Sequence, residues 1–168
     1  ERVGLLKGLP EAAIERVFAN RITLMPGGPV LLATMKAHGA RTALVSGGFT
    51  EFTGRVAQLL GFDENRANVL HIENGVLTGT VAEPILGREA KVQALKELTA
   101  QMGITPAEAI AVGDGANDLG MLGLAGMGVA LHAKPAVAEQ CDIRINHGDL
   151  TALLYVQGYA VESFRAAS

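Results

Sequence analysis

Apolar positions recur along this chain in two rhythms, and the changes of rhythm mark out its elements. Residues 1–8 carry Val3, Leu5 and Leu6 among polar positions, a short helical piece. In "LPEAAIERVFANR", Ala13, Ile14, Val17 and Phe18 fall at helical spacing, with Pro10 suited to a first helical position. Pro26 opens a longer predicted helix that Gly39 ends. "RTALVS" is a short apolar run stopped by glycines, which predicts a buried strand. "TEFTGRVAQLLG" returns to helical spacing and stops at Gly61.

The rhythm then shortens. In "VLHIENGVLTGT", Asn74-Gly75 separates two apolar-rich runs, a two-residue hairpin signal because both residues tolerate positive φ. "GREAKVQALKELTAQMG" predicts an amphipathic helix with Val92, Leu95, Leu98 and Met102 on one face. Thr105, Pro106 and Glu108 have capping-box spacing, but "AIAVG" follows so soon that only one turn can form. A short helix over residues 119–124, the strand "MGVAL", a turn of helix at "PAVAEQ", the strand "DIRI" and the helix "DLTALLYVQGY" complete the pattern. Helices alternating with strands predict an α/β fold, Rossmann-like and three-layered, with a mainly parallel sheet.

Composition narrows the function classes. With 49% hydrophobic and 18% charged residues, 168 residues can bury a sizeable core. The net charge is -3 and no Lys/Arg cluster stands out, so there is no electrostatic footprint for nucleic acid. No apolar run is long enough for a membrane helix. A single cysteine, Cys141, forms no disulfide within the chain and fits a reducing, cytoplasmic setting.

The candidate chemistry lies where strands end, the usual ligand side of open α/β sheets. One predicted strand runs into Ser46-Gly47-Gly48 and another into Gly113-Asp114-Gly115-Ala116-Asn117-Asp118. A hydroxyl beside glycine N–H groups suits a phosphate oxygen. Asp114 and Asp118 supply the hard oxygen ligands that Mg²⁺ prefers. Lys91, among apolar helix neighbours, can neutralise a transferring phosphoryl group. Each has a plainer reading: a strand-to-helix turn for Ser46, turn and N-cap carboxylates for the two acids, a solvated lysine for Lys91. Their order along the chain favours a site. His38, His71, His132 and His147 have no ligand spacing, Cys141 has no basic neighbour in sequence, and no P-loop motif exists.

"GDGANDLGML", "LVSGGF", "GREAK" and "HAKP", in this pattern, resemble the phosphoserine phosphatases of the haloacid-dehalogenase-like superfamily, over nearly the whole chain. GDGxND alone specifies only the superfamily. The resemblance implies a Mg²⁺-dependent phosphatase that hydrolyses O-phosphoserine through an aspartyl-phosphate, the last step of serine biosynthesis. By position, Ser46 and the Gly47 backbone would hold the phosphoryl group and Lys91 would stabilise it. Asp114 would ligate Mg²⁺, Asp118 would support the metal site, and Asn117 would reach the phosphate. Arg2 matches the cap arginine that grips the substrate carboxylate, a task its fork suits. Residues 1–24 would be the remnant of a helical cap and 25–168 the α/β core.

One departure is large. Members of the family begin with a strand ending in D-x-D-x-[TV], whose first Asp is the nucleophile. The five Asp here, at 63, 114, 118, 142 and 149, lie in no such signature. The resemblance places that strand between those ending at Ser46 and Asp114. The expectation is therefore a C-terminal part of a longer protein, inactive alone, with the slot filled by a retained N-terminal fragment or a homo-oligomer partner. Another phosphatase or phosphotransferase of the superfamily, or a non-catalytic ligand-binding module, remains an alternative reading.

Overall fold

Helical spacing near the N-terminus becomes a 3-10 turn, Arg2–Leu6, and helix α1, Ala12–Arg21. The computed structural model describes residues 2–166, apart from the side chain of Arg2. Pro10 does not open α1. It forms a bridge to Val76, and α1 starts two residues later. Helix α2 spans Gly28–Ala37, with Pro29 in its first turn, so Pro26 lies outside it.

The chain divides into two units, Glu1–Ile85 with Asp149–Ser168, and Leu86–Gly148. In the first, strand β1 (Ala43–Phe49) runs parallel to β2 (Glu64–Asn68), joined by helix α3, Thr50–Leu60. Gly61 ends α3 in the left-handed region, as the sequence predicts. Strand β2 is not legible in the hydrophobic pattern: "ENRAN" is polar, and its register with β1 makes it a strand. Strand β1 departs from expectation in two ways. It continues through the glycines to Phe49, and it is half-buried rather than buried. The reason is its place in a two-stranded sheet, where β2 is its only strand partner among the described residues.

The predicted hairpin forms as β3 (Leu70–Glu73) and β4 (Val76–Val81). Asn74 and Gly75 both have positive φ, 51° and 74°, the geometry a two-residue turn with right-handed strand twist requires. The N-terminal segment docks on it: Gly8 N–H donates to Leu77 C=O, and Leu77 N–H to Leu9 C=O. Ile14, Leu70 and Leu77 form the buried centre here, with Val3, Leu6, Phe49 and Phe52 against it. Helix α1 is further tied to α3 by Arg55, which grips both oxygens of Glu15 and stacks 5.2 Å from the Phe18 ring centre. The C-terminal helix of this unit, Ala152–Val156, buries Leu153 and Leu154.

The second unit is a three-stranded parallel sheet, β5 (Ile110–Gly113), β6 (Met127–Leu131) and β7 (Ile143–Ile145). Its helices are α4 (Arg88–Gln101), α5 (Leu119–Leu124) and α6 (Pro135–Ala138). Thr105 and Glu108 make the capping box over a single 3-10 turn. Ala111, Leu122, Ala130, Val137, Ala138 and Cys141 form the core, so Cys141 is a buried thiol. On α4, Val92, Leu95 and Leu98 of the expected face are partly buried beside the buried Ala94 and Thr99, whereas Met102, just past the last residue of the helix, is exposed. The fold is α/β with all but the hairpin pairings parallel, as expected. No described helix is long and apolar enough to cross a membrane.

Candidate functional site

The end of β5 is built around one carboxylate. Asp118 occupies the N-cap position of α5 but does not cap it; its side chain turns back over the loop instead. Asp118 Oδ2 accepts the N–H of Asp114 at 3.2 Å and of Gly115 at 3.0 Å. Asp118 Oδ1 accepts a bond from Lys91 Nζ on α4. Three of the roughly four lone-pair sites of a carboxylate are thus in use. Both side chains are buried, Lys91 at 11% exposure and Asp118 at 5%. The plain reading of Lys91 as a solvated lysine fails, and Asp118 is a fixed scaffold rather than a free ligand.

Gly113 explains how the loop closes so tightly. A Cβ at this position would lie 2.5 Å from both Cβ and Cγ of Asp118. Only glycine lets the carboxylate fold back over the strand end. Asp114 and Asn117 are exposed beside it. No hydrogen bond or ion pair holds the Asp114 carboxylate among the described residues. One free carboxylate fits a Mg²⁺ site of the kind that takes one or two protein oxygens plus water and phosphate. The described residues hold no cluster of three or more His, Cys, Asp or Glu side chains.

In the first unit, the end of β1 carries the other feature. The register runs Ala43 to Glu64, Leu44 to Asn65 and Val45 to Arg66, then resumes at Phe49 opposite Asn68. Four steps on β1 thus match two on β2, and Ser46-Gly47-Gly48 bulges out. Ser46 Oγ accepts the Gly48 N–H at 3.0 Å. Its own proton has no acceptor among the described residues, so it can donate to a ligand oxygen. Gly47 is exposed. Asn68, which sequence reasoning missed, donates from Nδ2 to the Gly47 carbonyl at 3.0 Å. Its only sequence signal is an amide at the end of a polar run that does not read as a strand. Arg2, the candidate carboxylate clamp, has its side chain outside the described residues.

The family model for haloacid dehalogenase-like hydrolases matches residues 1–123. The chain belongs to this family. Within the family it is similar to the phosphoserine phosphatase of Albidiferax ferrireducens, at 49% identity over 92% of this chain and 67% of that one. Among solved structures it is similar to a probable phosphoserine phosphatase from Vibrio cholerae in unliganded form, with TM-score 0.90 and 36% identity. That match covers 96% of this chain and 50% of the other, so the chain spans only half of it. A phosphoserine phosphatase solved as a phospho-aspartyl intermediate analogue matches with TM-score 0.86 and 38% identity, over 92% of this chain and 74% of that one. The sequence resemblance to haloacid-dehalogenase-like phosphoserine phosphatases therefore holds. Enzymes of this family generally use Mg²⁺.

Proposed function

We propose that these residues form the phosphate- and metal-binding part of an enzyme that hydrolyses O-phosphoserine to serine and phosphate. The observation that carries the reading is the buried Lys91–Asp118 pair beside the free Asp114 carboxylate. A buried ammonium fixed by a carboxylate that also shapes the loop is costly to build without a task. Phosphoryl transfer supplies one, since charge develops on the phosphoryl oxygens and a fixed cation stabilises it. The similarity to phosphoserine phosphatases names the substrate.

On this reading Ser46 donates its hydroxyl proton to a phosphoryl oxygen and the Gly47 backbone lies against the same group. Lys91 neutralises phosphoryl charge, and the exposed Asn117 reaches the phosphate. Asp114 would hold Mg²⁺, which when bound supplies further neutralisation of the phosphate. Arg2 grips the substrate carboxylate. The resemblance implies as nucleophile the first carboxylate of a D-x-D-x-[TV] signature, which residues 1–168 do not contain. Its oxygen would attack phosphorus while the serine oxygen leaves with a proton from the signature's second Asp, and water, giving a proton back to that Asp, would then cleave the aspartyl-phosphate to release phosphate. Both β1 and β5 have an edge without a strand partner among the described residues. A strand pairing with either edge would satisfy that edge's backbone groups, whether it comes from the same polypeptide, a retained fragment or a second copy. The setting is cytoplasmic.

A substrate panel on the full natural chain tests the reading. O-Phosphoserine is expected to exceed sugar phosphates in kcat/KM, and Arg2→Ala is expected to remove that preference mainly through KM. Equal turnover of all phosphomonoesters, with Arg2→Ala silent, would refute the assignment.

A further inference from the structure

The bulge at Ser46-Gly47-Gly48 raises a question of rigidity. Two consecutive glycines allow many backbone orientations, so a cradle built from them needs something to select one. Asn68 supplies it through a single peptide unit. The carbonyl of Gly47 and the N–H of Gly48 belong to the same planar trans peptide and point in opposite directions. On one side, Asn68 Nδ2 donates to the Gly47 carbonyl at 3.0 Å. On the other, the Gly48 N–H donates to Ser46 Oγ at 3.0 Å. Fixing the carbonyl fixes the N–H, and the N–H fixes the hydroxyl.

The surroundings suit the task. Asn68 is 6% exposed, so its amide works away from competing water. It sits opposite Phe49, where the register resumes, so it anchors the bulge at its closing end. Space is tight on the far side as well, since a Cβ at Gly48 would come within 3.2 Å of Ser46 Oγ. The oxygen of Ser46 is occupied as an acceptor, which leaves its proton to be donated outward.

Resting on the phosphatase reading above, we propose that Asn68 is a positioning residue for the phosphate cradle, acting through the Gly47–Gly48 peptide to aim the Ser46 hydroxyl. It touches neither phosphate nor metal. Its contribution therefore exists only while Ser46 carries its hydroxyl.

A double-mutant cycle of Asn68→Asp and Ser46→Ala in the full natural chain tests this, with kcat and KM for O-phosphoserine and the affinity for inorganic phosphate measured for each variant. Asn68→Asp keeps the shape but loses the donor. It is expected to lower kcat/KM by roughly tenfold, the scale of one hydrogen bond. In the Ser46→Ala background the same change is expected to cost less than about twofold, because both substitutions disable one device. Should Asn68→Asp fail to fold, Asn68→Ser replaces it, with a donor too short to reach the carbonyl. Full additivity of the two losses, or an Asn68 variant as active as the wild type, overturns the proposal. Phosphate binding without O-phosphoserine turnover, with a non-additive cycle, would sink the substrate assignment and leave the positioning role standing. Turnover with an additive cycle would do the reverse, and a natural chain that neither turns over O-phosphoserine nor binds phosphate would overturn both.

Discussion

Lys91 Nζ donates to Asp118 Oδ1 in a pair whose two side chains are almost entirely buried, while Asp118 Oδ2 holds two backbone N–H groups of the 113–118 loop. One carboxylate thus sets both the position of the ammonium and the shape of the loop that carries Asp114. Breaking a buried pair by removing one partner typically costs about 3–5 kcal/mol, because the other charge is left without compensation. Asp118→Ala is expected to lose stability on that scale in urea unfolding, and Lys91→Ala somewhat less, since the carboxylate keeps its two backbone donors. An Asp118→Ala variant as stable as the wild type would show that the pair is dispensable to the fold.

Asp114 should behave in the opposite way. Its side chain is exposed and bonded to nothing described, so Asp114→Asn is expected to change stability by less than about 0.5 kcal/mol. Mg²⁺ affinity, measured by titration calorimetry on the full natural chain, is expected to fall sharply. Unaltered Mg²⁺ binding in Asp114→Asn would remove this residue from the metal site.

Gly113 gives a steric test of the same loop. Its substitution by alanine would drive a Cβ into the Asp118 side chain, 2.5 Å away. The carboxylate must then leave Asp114 N–H, Gly115 N–H or Lys91. Gly113→Ala is expected to lower thermal stability and, in the same preparation, phosphatase activity. Wild-type melting and activity together would mean that the loop relaxes at no cost.

How much of this was legible in the sequence depends on what carried each signal. The loop 113–118 was legible because Gly113 and Asp118 are required by its local geometry, and geometry that local leaves a mark in the residues. The Asn74-Gly75 hairpin was legible for the same reason. Strand β2 was not: "ENRAN" carries no alternation, and parallel pairing with β1 alone makes it a strand. Asn68 was hidden with it, since its role depends on a bulge in a distant strand. Lys91 was found as a candidate, but its burial was not, because the apolar stripe of α4 reads nearly the same whether a lysine at its border reaches water or a carboxylate. The resemblance to a family supplied the substrate, which no spacing encodes.

Acid should weaken the first unit in a defined direction. Glu15 is held below its ordinary 4.5 by the hydrogen bonds from Arg55, and Asp149 below 3.8 by those from the Thr151 hydroxyl and N–H. For Asp63, burial is the largest single influence and pushes the carboxyl up. The bonds from Thr42 and Lys36 together outweigh it, so the net shift is downward from 3.8. A carboxyl depressed in the folded state contributes stability above its unfolded value and loses it as pH falls through the folded one. Urea midpoints are therefore expected to hold from neutral pH down to about 4.5 and to drop below it, and a Glu15→Gln, Asp63→Asn, Asp149→Asn variant should show a shallower drop. An identical acid limb in that variant would assign the loss to other groups.

The most direct test compares phosphate release from O-phosphoserine, with and without Mg²⁺, by the full natural chain and by residues 1–168 alone, each verified by intact mass. Mg²⁺-dependent release by the natural chain and none by the 168 residues is the predicted result. An inert natural chain, or robust turnover by residues 1–168 with no nucleophile strand supplied, would contradict it.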